Sequence, residues 1–224
     1  AGQFAIDWSQ ENLERVTRTI VKKYNAEIHS QSTLEGILEL IQEHGFAGAD
    51  VDRVEIDIFD VAYHIIGGGE EGAKTTIRTK EEADHSLPYM VAVAILDGQV
   101  TPEQYAPERI QRVDVQDLLR RVVIRPSAAF SRLFPQEMPC RITVTLRDGR
   151  VLVKEKRDYE GFFTRPMRWE TVVEKFERLS APHAAAALRR DIVAAVANLE
   201  TAPVAALTRL LSKAQIAAQR DVAE

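Results

Sequence analysis

The chain is poor in cysteine, and this shortage excludes several kinds of protein. It contains one cysteine, Cys140, in 224 residues. A single cysteine cannot form an internal disulfide, and this chain alone cannot build a cysteine-ligated zinc site or an iron–sulfur cluster from it. The sequence therefore predicts a protein of a reducing compartment, which we expect to be cytoplasmic, and it predicts no cofactor.

Long apolar runs and a strong excess of one charge are also missing. No stretch approaches the roughly 20 apolar residues of a membrane span. The amino-terminal AGQFAIDWSQ lacks a basic region followed by an apolar one, so export is not expected. The composition, 45% hydrophobic and 28% charged with a net charge of -5, is typical of a soluble globular protein. Neither nucleic acid nor a membrane is expected as a partner.

Motifs for metal, phosphate and serine chemistry are absent or incomplete. None of the five histidines has the HxxxH spacing that places two imidazoles on one helical face, and no GxSxG elbow occurs. The stretch GGGEEGAKTT, residues 67–76, nearly spells a phosphate-binding loop. Ala73 separates its last glycine from Lys74, however, and no helical pattern follows. A flexible loop without a metal or phosphate site is the better interpretation.

Hydrophobic periodicity changes along the chain and predicts an α+β fold. The sequence predicts a first helix over about 10–23, capped by Ser9. It predicts a second helix that begins with a capping box formed by Ser32 and Glu35 and ends at Gly45. A strand over 53–60 and a long polar loop to about residue 84 come next, and a buried helix then runs from Ser86 to Gly98. The prediction continues with a helical turn at residue 101, a helix from residue 114 and a hairpin over 140–156. It ends with helices over 169–179, 182–199 and 202–219.

Two polar stretches stand where helices begin, KKYNAEIHSQ at residues 22–31 and ADHSLPY at residues 83–89. Each places a histidine beside carboxylate and hydroxyl groups. Histidine can exchange a proton at neutral pH, and lysine, glutamine and helix-terminal N–H groups can bind carboxylates. The same residues can simply cap helices or satisfy buried backbone, which is the more common role of polar residues at helix starts.

The two stretches resemble the MmgE/PrpD family, which includes 2-methylcitrate dehydratases, cis-aconitate decarboxylases and iminodisuccinate epimerases. AEIHSQ and DHSLPYMVA are most similar to the dehydratase branch, and RPMRWETVVEKF is similar to a later family segment. The resemblance extends over residues 10–210. Asn25 departs from the pattern, because the family often has proline there.

The resemblance implies a domain organisation. Residues 25–160 would form an α+β lid domain with a small, mainly antiparallel sheet. Residues 1–24 and 161–224 would be helices of a larger all-helical domain. Most of that helical domain would lie upstream of this chain, so we expect an amino-terminal helical domain or a partner chain to complete the site. The resemblance also implies a homodimer.

The implied activity is a cluster-independent hydro-lyase that dehydrates 2-methylcitrate, a small tricarboxylate. Its catalytic residues would be Lys22, which stabilises a carboxylate or developing enolate, and His29, which transfers a proton. The substrate-binding residues would be Glu27, Ser30, Gln31, Thr79, Lys80, His85 and Ser86. Decarboxylation or epimerisation of a related acid is an alternative within the family. A non-catalytic module that binds a carboxylate or mediates dimerisation is an alternative of a different class.

Overall fold

The fold is that of a computed structural model. The structure describes Asp7, Ser9, Asn12, residues 14–69, Gly72 and residues 74–214. The chain divides into two compact units, Ala1–Pro166 and Met167–Glu224.

The described residues of the first unit combine helices with one sheet, which confirms the predicted α+β class. It contains 3-10 turns at Arg15–Arg18, Ile28–Ser30, Gly48–Asp50 and Pro102–Tyr105, and a π-helical turn at Tyr63–Gly67. The turn at Pro102 confirms the predicted helical turn after Thr101. Its helices and strands, in chain order, are α1 Gln31–His44, β1 Val51–Ile58, α2 Asp60–Ala62, α3 Lys80–Asp84, α4 Leu87–Asp97, α5 Pro107–Ile110, α6 Val113–Leu119, β2 Val122–Pro126, α7 Ala128–Ser131, β3 Cys140–Leu146 and β4 Val151–Lys156.

The four strands form one sheet in the order β2-β1-β3-β4. β1 pairs antiparallel with β3, and β3 pairs antiparallel with β4 through the predicted turn at Asp148 and Gly149. Gly149 has a φ of 90°, a conformation that favours glycine. β2 lies parallel to β1, with Val54 opposite Val122. The sheet is therefore mixed but mostly antiparallel.

Helices α1 and α4 provide the partners for the buried face of the sheet. α1 contacts β3 and β4, while α4 contacts α1, α6 and β2. The alternating residues Val54, Ile56 and Ile58 of β1 point into this layer and are fully buried or nearly so. Every residue of α4 from Leu87 to Ile95 is buried, which confirms the prediction of a central helix.

The ends of α1 and α4 follow the predicted capping chemistry in three places. The Ser86 hydroxyl accepts a hydrogen bond from the Tyr89 amide and caps α4. Gly45 and Gly98 end α1 and α4 in the left-handed region, at φ values of 63° and 67°. Because a Cβ is strained in that region, glycine is the residue expected at both positions.

Two predictions about the amino-terminal part are wrong. Residues 19–23 are not helical, since the described chain there has only the 3-10 turn Arg15–Arg18. The reason is tertiary: the amide of Val21 donates to the Gly161 carbonyl, and that of Asn25 to the Val100 carbonyl. The Ser32–Glu35 capping box does not form either, because α1 begins at Gln31 directly after the turn at Ile28–Ser30. The predicted start of the first helix, near residue 10, lies mostly outside the described residues.

Strand β2 was not predicted, because its short apolar run directly follows a helical pattern. Only two residues separate Val122, the first residue of β2, from the end of α6. The pairing of β2 with β1 depends on the intervening helices returning the chain to the sheet, and no local pattern shows this. Strand β1, in contrast, lies within two residues of its predicted position.

The described residues of the second unit form α8 Trp169–Ser180, α9 Ala186–Ala197 and α10 Val204–Leu211. The first two lie close to the predicted helices, whereas α10 ends at Leu211, so the predicted helix over 202–219 is wrong at residues 212–214. α9 contacts both α8 and α10. The predicted continuation of the last helix beyond residue 214 falls on residues that the structure does not describe, as do Glu70, Glu71 and Ala73 of the predicted glycine-rich loop. Within the described parts of the chain, no helix is long and apolar enough to cross a membrane.

Candidate functional site in the connector before α1

Gln31 shapes the polar connector, residues 22–31, from the first position of α1. Its side chain is fully buried. The Oε1 atom accepts hydrogen bonds from the amides of Lys23 (2.9 Å) and Tyr24 (3.0 Å). Its Nε2 atom donates to the carbonyls of Tyr24 (3.2 Å) and Ala26 (3.4 Å). Gln31 thus satisfies backbone groups that would otherwise be buried without partners. A direct contact between Gln31 and substrate stays a prediction.

Glu27 and His29 form the central pair of this connector. Glu27 Oε2 accepts the His29 amide at 2.7 Å and caps the short turn, while Oε1 lies 2.7 Å from His29 Nδ1. A neutral imidazole that donates its Nδ1 proton to this carboxylate presents Nε2 as a proton acceptor. The His29 and Glu27 side chains are 14% and 12% exposed, so neither is completely buried. The geometry is that of an oriented general base.

Two stacked phenylalanines hold the His29 ring. Phe59, which directly follows β1, stacks on Phe134 with the ring centroids 4.4 Å apart and the planes 8° from parallel. The His29 centroid lies 5.7 Å from that of Phe59 and 5.8 Å from that of Phe134. Because Phe59 is 1% exposed, the wall behind the imidazole is fixed by the core. Neither phenylalanine was predicted as a neighbour of His29, since both are far from it in the chain.

Ser30 and Lys22 occupy opposite environments. The buried Ser30 hydroxyl donates to the Glu27 carbonyl at 2.6 Å and so supports the turn that carries His29. Lys22, in contrast, is exposed. Its predicted role at a carboxylate stays a prediction.

A buried charge cluster lies beside the connector, and Glu35 is its centre. Glu35, 4% exposed, forms ion pairs with Lys156 at 2.9 Å and with Arg165. Its Oε1 atom also accepts the Glu160 amide at 3.1 Å and lies 3.5 Å from Lys23 Nζ. Of the two adjacent lysines in the connector, Lys23 is therefore anchored in this cluster.

Spacing along the chain explains how α1 and β4 pair their charges. Glu35, Glu39 and Glu43 are four residues apart, which is about 6 Å of rise between neighbours on a helix. Lys154 and Lys156 are two residues apart, about 6.6 Å on a strand. The matched steps place Glu39 2.7 Å from Lys156 and 3.1 Å from Lys154. This repeat was the available sequence signal for the cluster.

The cluster perturbs the protonation of its members. Burial alone raises the pKa of Glu35, but hydrogen bonds from Arg165, Lys156 and the Glu160 amide outweigh it and lower the pKa. Burial, reinforced by Glu35, raises the pKa of Tyr159 to about 12. Glu35 is thus a fixed negative charge at neutral pH, surrounded by cations.

The second predicted stretch forms a separate set of contacts around the starts of α3 and α4. The buried Ser86 hydroxyl donates to the Lys74 carbonyl at 2.7 Å and caps α4. Thr79 caps α3 by accepting the Glu82 amide at 3.2 Å. His85 Nδ1 lies 3.1 Å from the Glu81 carbonyl, and both His85 and Lys80 are exposed. These groups order the loop before α4, and their contact with substrate stays a prediction.

Among the described residues, no group of three His, Cys, Asp or Glu side chains could hold a metal ion. The Glu27–His29 hydrogen bond and the adjoining phenylalanines, Phe59 and Phe134, are the features of the connector on which a chemical role can be argued.

Comparison with known proteins identifies the family. The model of the MmgE/PrpD C-terminal domain matches residues 24–201. The 2-methylcitrate dehydratase of Cupriavidus necator is 30% identical over 137 residues, which is 58% of this chain and 27% of that protein. For the 2-methylcitrate dehydratase of Salmonella typhimurium the identity is 29% over 133 residues, 56% of this chain and 26% of that protein.

A relative with a different activity matches over a similar length. The cis-aconitate decarboxylase of Mus musculus is 25% identical over 138 residues, 59% of this chain and 27% of that protein. These alignments span about a quarter of the length of each relative. Since the family model covers most of this chain, the protein belongs to the MmgE/PrpD family and carries its C-terminal domain.

Proposed function

We propose that the chain is the lid-bearing, carboxy-terminal part of a lyase that dehydrates 2-methylcitrate or a closely related tricarboxylate. One observation carries the proposal: Nδ1 of His29 lies 2.7 Å from the carboxylate of Glu27, within the stretch that resembles the dehydratase branch. Dehydratases among the relatives support the same reaction.

The proposed reaction needs proton transfer and carboxylate binding. A base removes the proton on the carbon next to a carboxylate, the carbon–oxygen bond of the neighbouring hydroxyl breaks, and a double bond forms. The hydroxyl leaves as water after an acid protonates it. In this proposal His29 Nε2 exchanges the proton, Glu27 stabilises the imidazolium, and Lys22 binds a substrate carboxylate. The acid that serves the leaving hydroxyl would come from the helical domain upstream.

Decarboxylation of a cis-aconitate-like acid is the second candidate, because the mouse decarboxylase matches this chain over as many residues as the dehydratases do. There a carbon–carbon bond breaks, carbon dioxide leaves, and an acid delivers a proton to the carbon that gains the electron pair. His29 in its protonated form would supply that proton. The two candidates thus use the same pair in opposite protonation states.

The test is an assay of the chain alone and mixed with the amino-terminal helical half of a dehydratase relative. Ultraviolet absorbance of the new double bond follows dehydration of 2-methylcitrate, and release of carbon dioxide follows decarboxylation of cis-aconitate. We expect dehydration by the mixture. Decarboxylation alone would favour the second candidate. Binding of 2-methylcitrate without turnover would replace both by a carboxylate-binding module.

His29→Ala in the active mixture should lower turnover by at least about 100-fold. His44→Ala is the matched control, because His44 is 41% exposed at the far end of α1. Equal turnover by the two variants would remove His29 from the mechanism. The homodimer and the upstream domain implied by the resemblance stay predictions that the same mixture can test by sedimentation.

A further inference from the structure

A pocket lies at the other end of β1 from His29. It has a volume of about 440 Å³, within the usual size of small-molecule sites. Arg121, which lines the pocket, donates to the carbonyl of Val51, the first residue of β1. His29 contacts Phe59, which directly follows the last residue of β1. The eight residues of β1 rise about 3.3 Å each, so the pocket and His29 are separated by roughly 25 Å. Two arginines, Arg121 and Arg147, two aspartates, Asp114 and Asp117, and two leucines, Leu96 and Leu118, line the pocket beside the segment 48–49.

Two arginines line this pocket, and backbone contacts fix both. Arg121 Nη1 donates to the Val51 carbonyl at 3.0 Å, and Arg147 Nε donates to the Ala49 carbonyl at 3.0 Å. The two carbonyls are two residues apart, so the guanidinium groups approach the same short segment. A guanidinium has five N–H donors, and each of these contacts uses one.

The carboxylates of the pocket are matched by other arginines. Asp114 binds Arg109 at 3.1 Å and Arg112 at 2.9 Å, and neither of those arginines lines the pocket. Asp117 binds Arg120 at 3.0 Å, and Arg120 is not a lining residue either. The lining carboxylates thus have their cations outside the pocket.

The positive charges of the pocket are not matched in this way. Within the described part of the chain, Arg121 and Arg147 have no carboxylate within ion-pair distance. Planar guanidinium groups favour carboxylates and phosphates, which accept two parallel N–H bonds. Leu96 and Leu118 provide an apolar wall beside them. The pocket is therefore suited to a ligand with an anionic head and an apolar body.

We propose that this pocket binds a small anionic molecule, a phosphate ester or carboxylate with an apolar body, at a site separate from the Glu27–His29 pair. Arg121 and Arg147 bind the anionic head, and Leu96 and Leu118 contact the apolar part. The site does not depend on the proposed lyase activity, so either proposal can fail alone.

The experiment is an NMR titration of the 224-residue chain with inorganic phosphate, phenyl phosphate and benzoate. We expect saturable shifts of the Arg147 Nε–H signal and of the Gly48 and Ala49 amides, with phenyl phosphate or benzoate binding more tightly than phosphate. Preference for phenyl phosphate identifies a phosphate-ester site, and preference for benzoate a carboxylate site. No saturable shift with any of the three would overturn the proposal.

Two variants of opposite sign make the test specific. Arg147→Met should weaken binding about tenfold or more, because it removes a charged donor. Arg150→Met is the matched control, since Arg150 lies on the same hairpin but pairs with Asp148 at 2.8 Å. Asp117→Asn should strengthen binding a few-fold by removing a lining negative charge. Equal weakening by Arg147→Met and Arg150→Met, or weaker binding by Asp117→Asn, would contradict the assignment.

Discussion

Replacing Glu35 with glutamine tests the buried charge cluster that supports the connector. Removal of one partner from a buried ion pair typically costs about 3–5 kcal/mol, because the other charge is left uncompensated. Here each cation keeps a second carboxylate: Lys156 keeps Glu39 at 2.7 Å, Lys23 keeps Glu160 at 2.8 Å, and Arg165 keeps Asp158 at 3.0 Å. We therefore expect a loss of about 2–3 kcal/mol in the free energy of unfolding.

Urea unfolding followed by far-ultraviolet circular dichroism measures this loss. With a denaturant slope of about 2 kcal/mol per molar, the midpoint should fall by about 1–1.5 M. Glu43→Gln is the matched control, because Glu43 is 51% exposed on the same helix and pairs with Lys154. Its midpoint should change much less. Equal shifts for the two variants would refute the argument that burial makes the Glu35 contacts important.

The pH dependence gives an independent check with a defined sign. The folded state lowers the pKa of Glu35 below its ordinary value of 4.5, so the unfolded state binds more protons. The stabilisation is complete above about pH 4.5 and is lost as the pH falls through the folded-state pKa. The stability difference between the parent and Glu35→Gln should therefore shrink in acid. A difference that grows as the pH falls would contradict this sign.

Three further predictions concern the connector and helix α4. Glu27→Gln should lower turnover of the reconstituted enzyme less than His29→Ala, because the glutamine amide keeps the contact with the His29 backbone but does not stabilise an imidazolium. The pH–rate profile separates this effect from unfolding. An unchanged pH–rate profile would contradict the prediction. Ser86→Ala should destabilise the protein by about 2 kcal/mol, since the buried hydroxyl serves both a carbonyl and the α4 cap, and thermal unfolding that matches the parent would contradict this. Gly98→Ala should cost about 1 kcal/mol from its φ of 67° alone, because no atom lies within 4 Å of the added Cβ. Gly98→Asn should cost less, since asparagine adopts this left-handed conformation more readily than alanine. Equal losses in urea unfolding would refute the backbone explanation.

Local patterns were sufficient where a signal and its consequence lie close together in the chain. The helix from Leu87, its cap at Ser86 and its end at Gly98 follow from residues within one turn of each boundary. The hairpin from Cys140 follows in the same way from alternation and a turn glycine. Residues 19–23 have a helical pattern but no helix, because the amide of Val21 binds a carbonyl at residue 161. Residues so far apart in the chain share no local pattern, so hydrophobic periodicity cannot predict this hydrogen bond.

The sequence by itself determined the α+β class, the positions of β1, α4 and the β3–β4 hairpin, and the polar stretch that contains Glu27 and His29. Only the tertiary structure decided what surrounds that pair. Phe59 and Phe134 reach His29 from distant segments, and Glu35 meets Arg165 across 130 positions of sequence. Periodicity reports which face of an element is buried, but contacts between faces depend on how the elements pack. The functional groups of the connector are therefore neighbours in the sequence, while the packing of the core orients them.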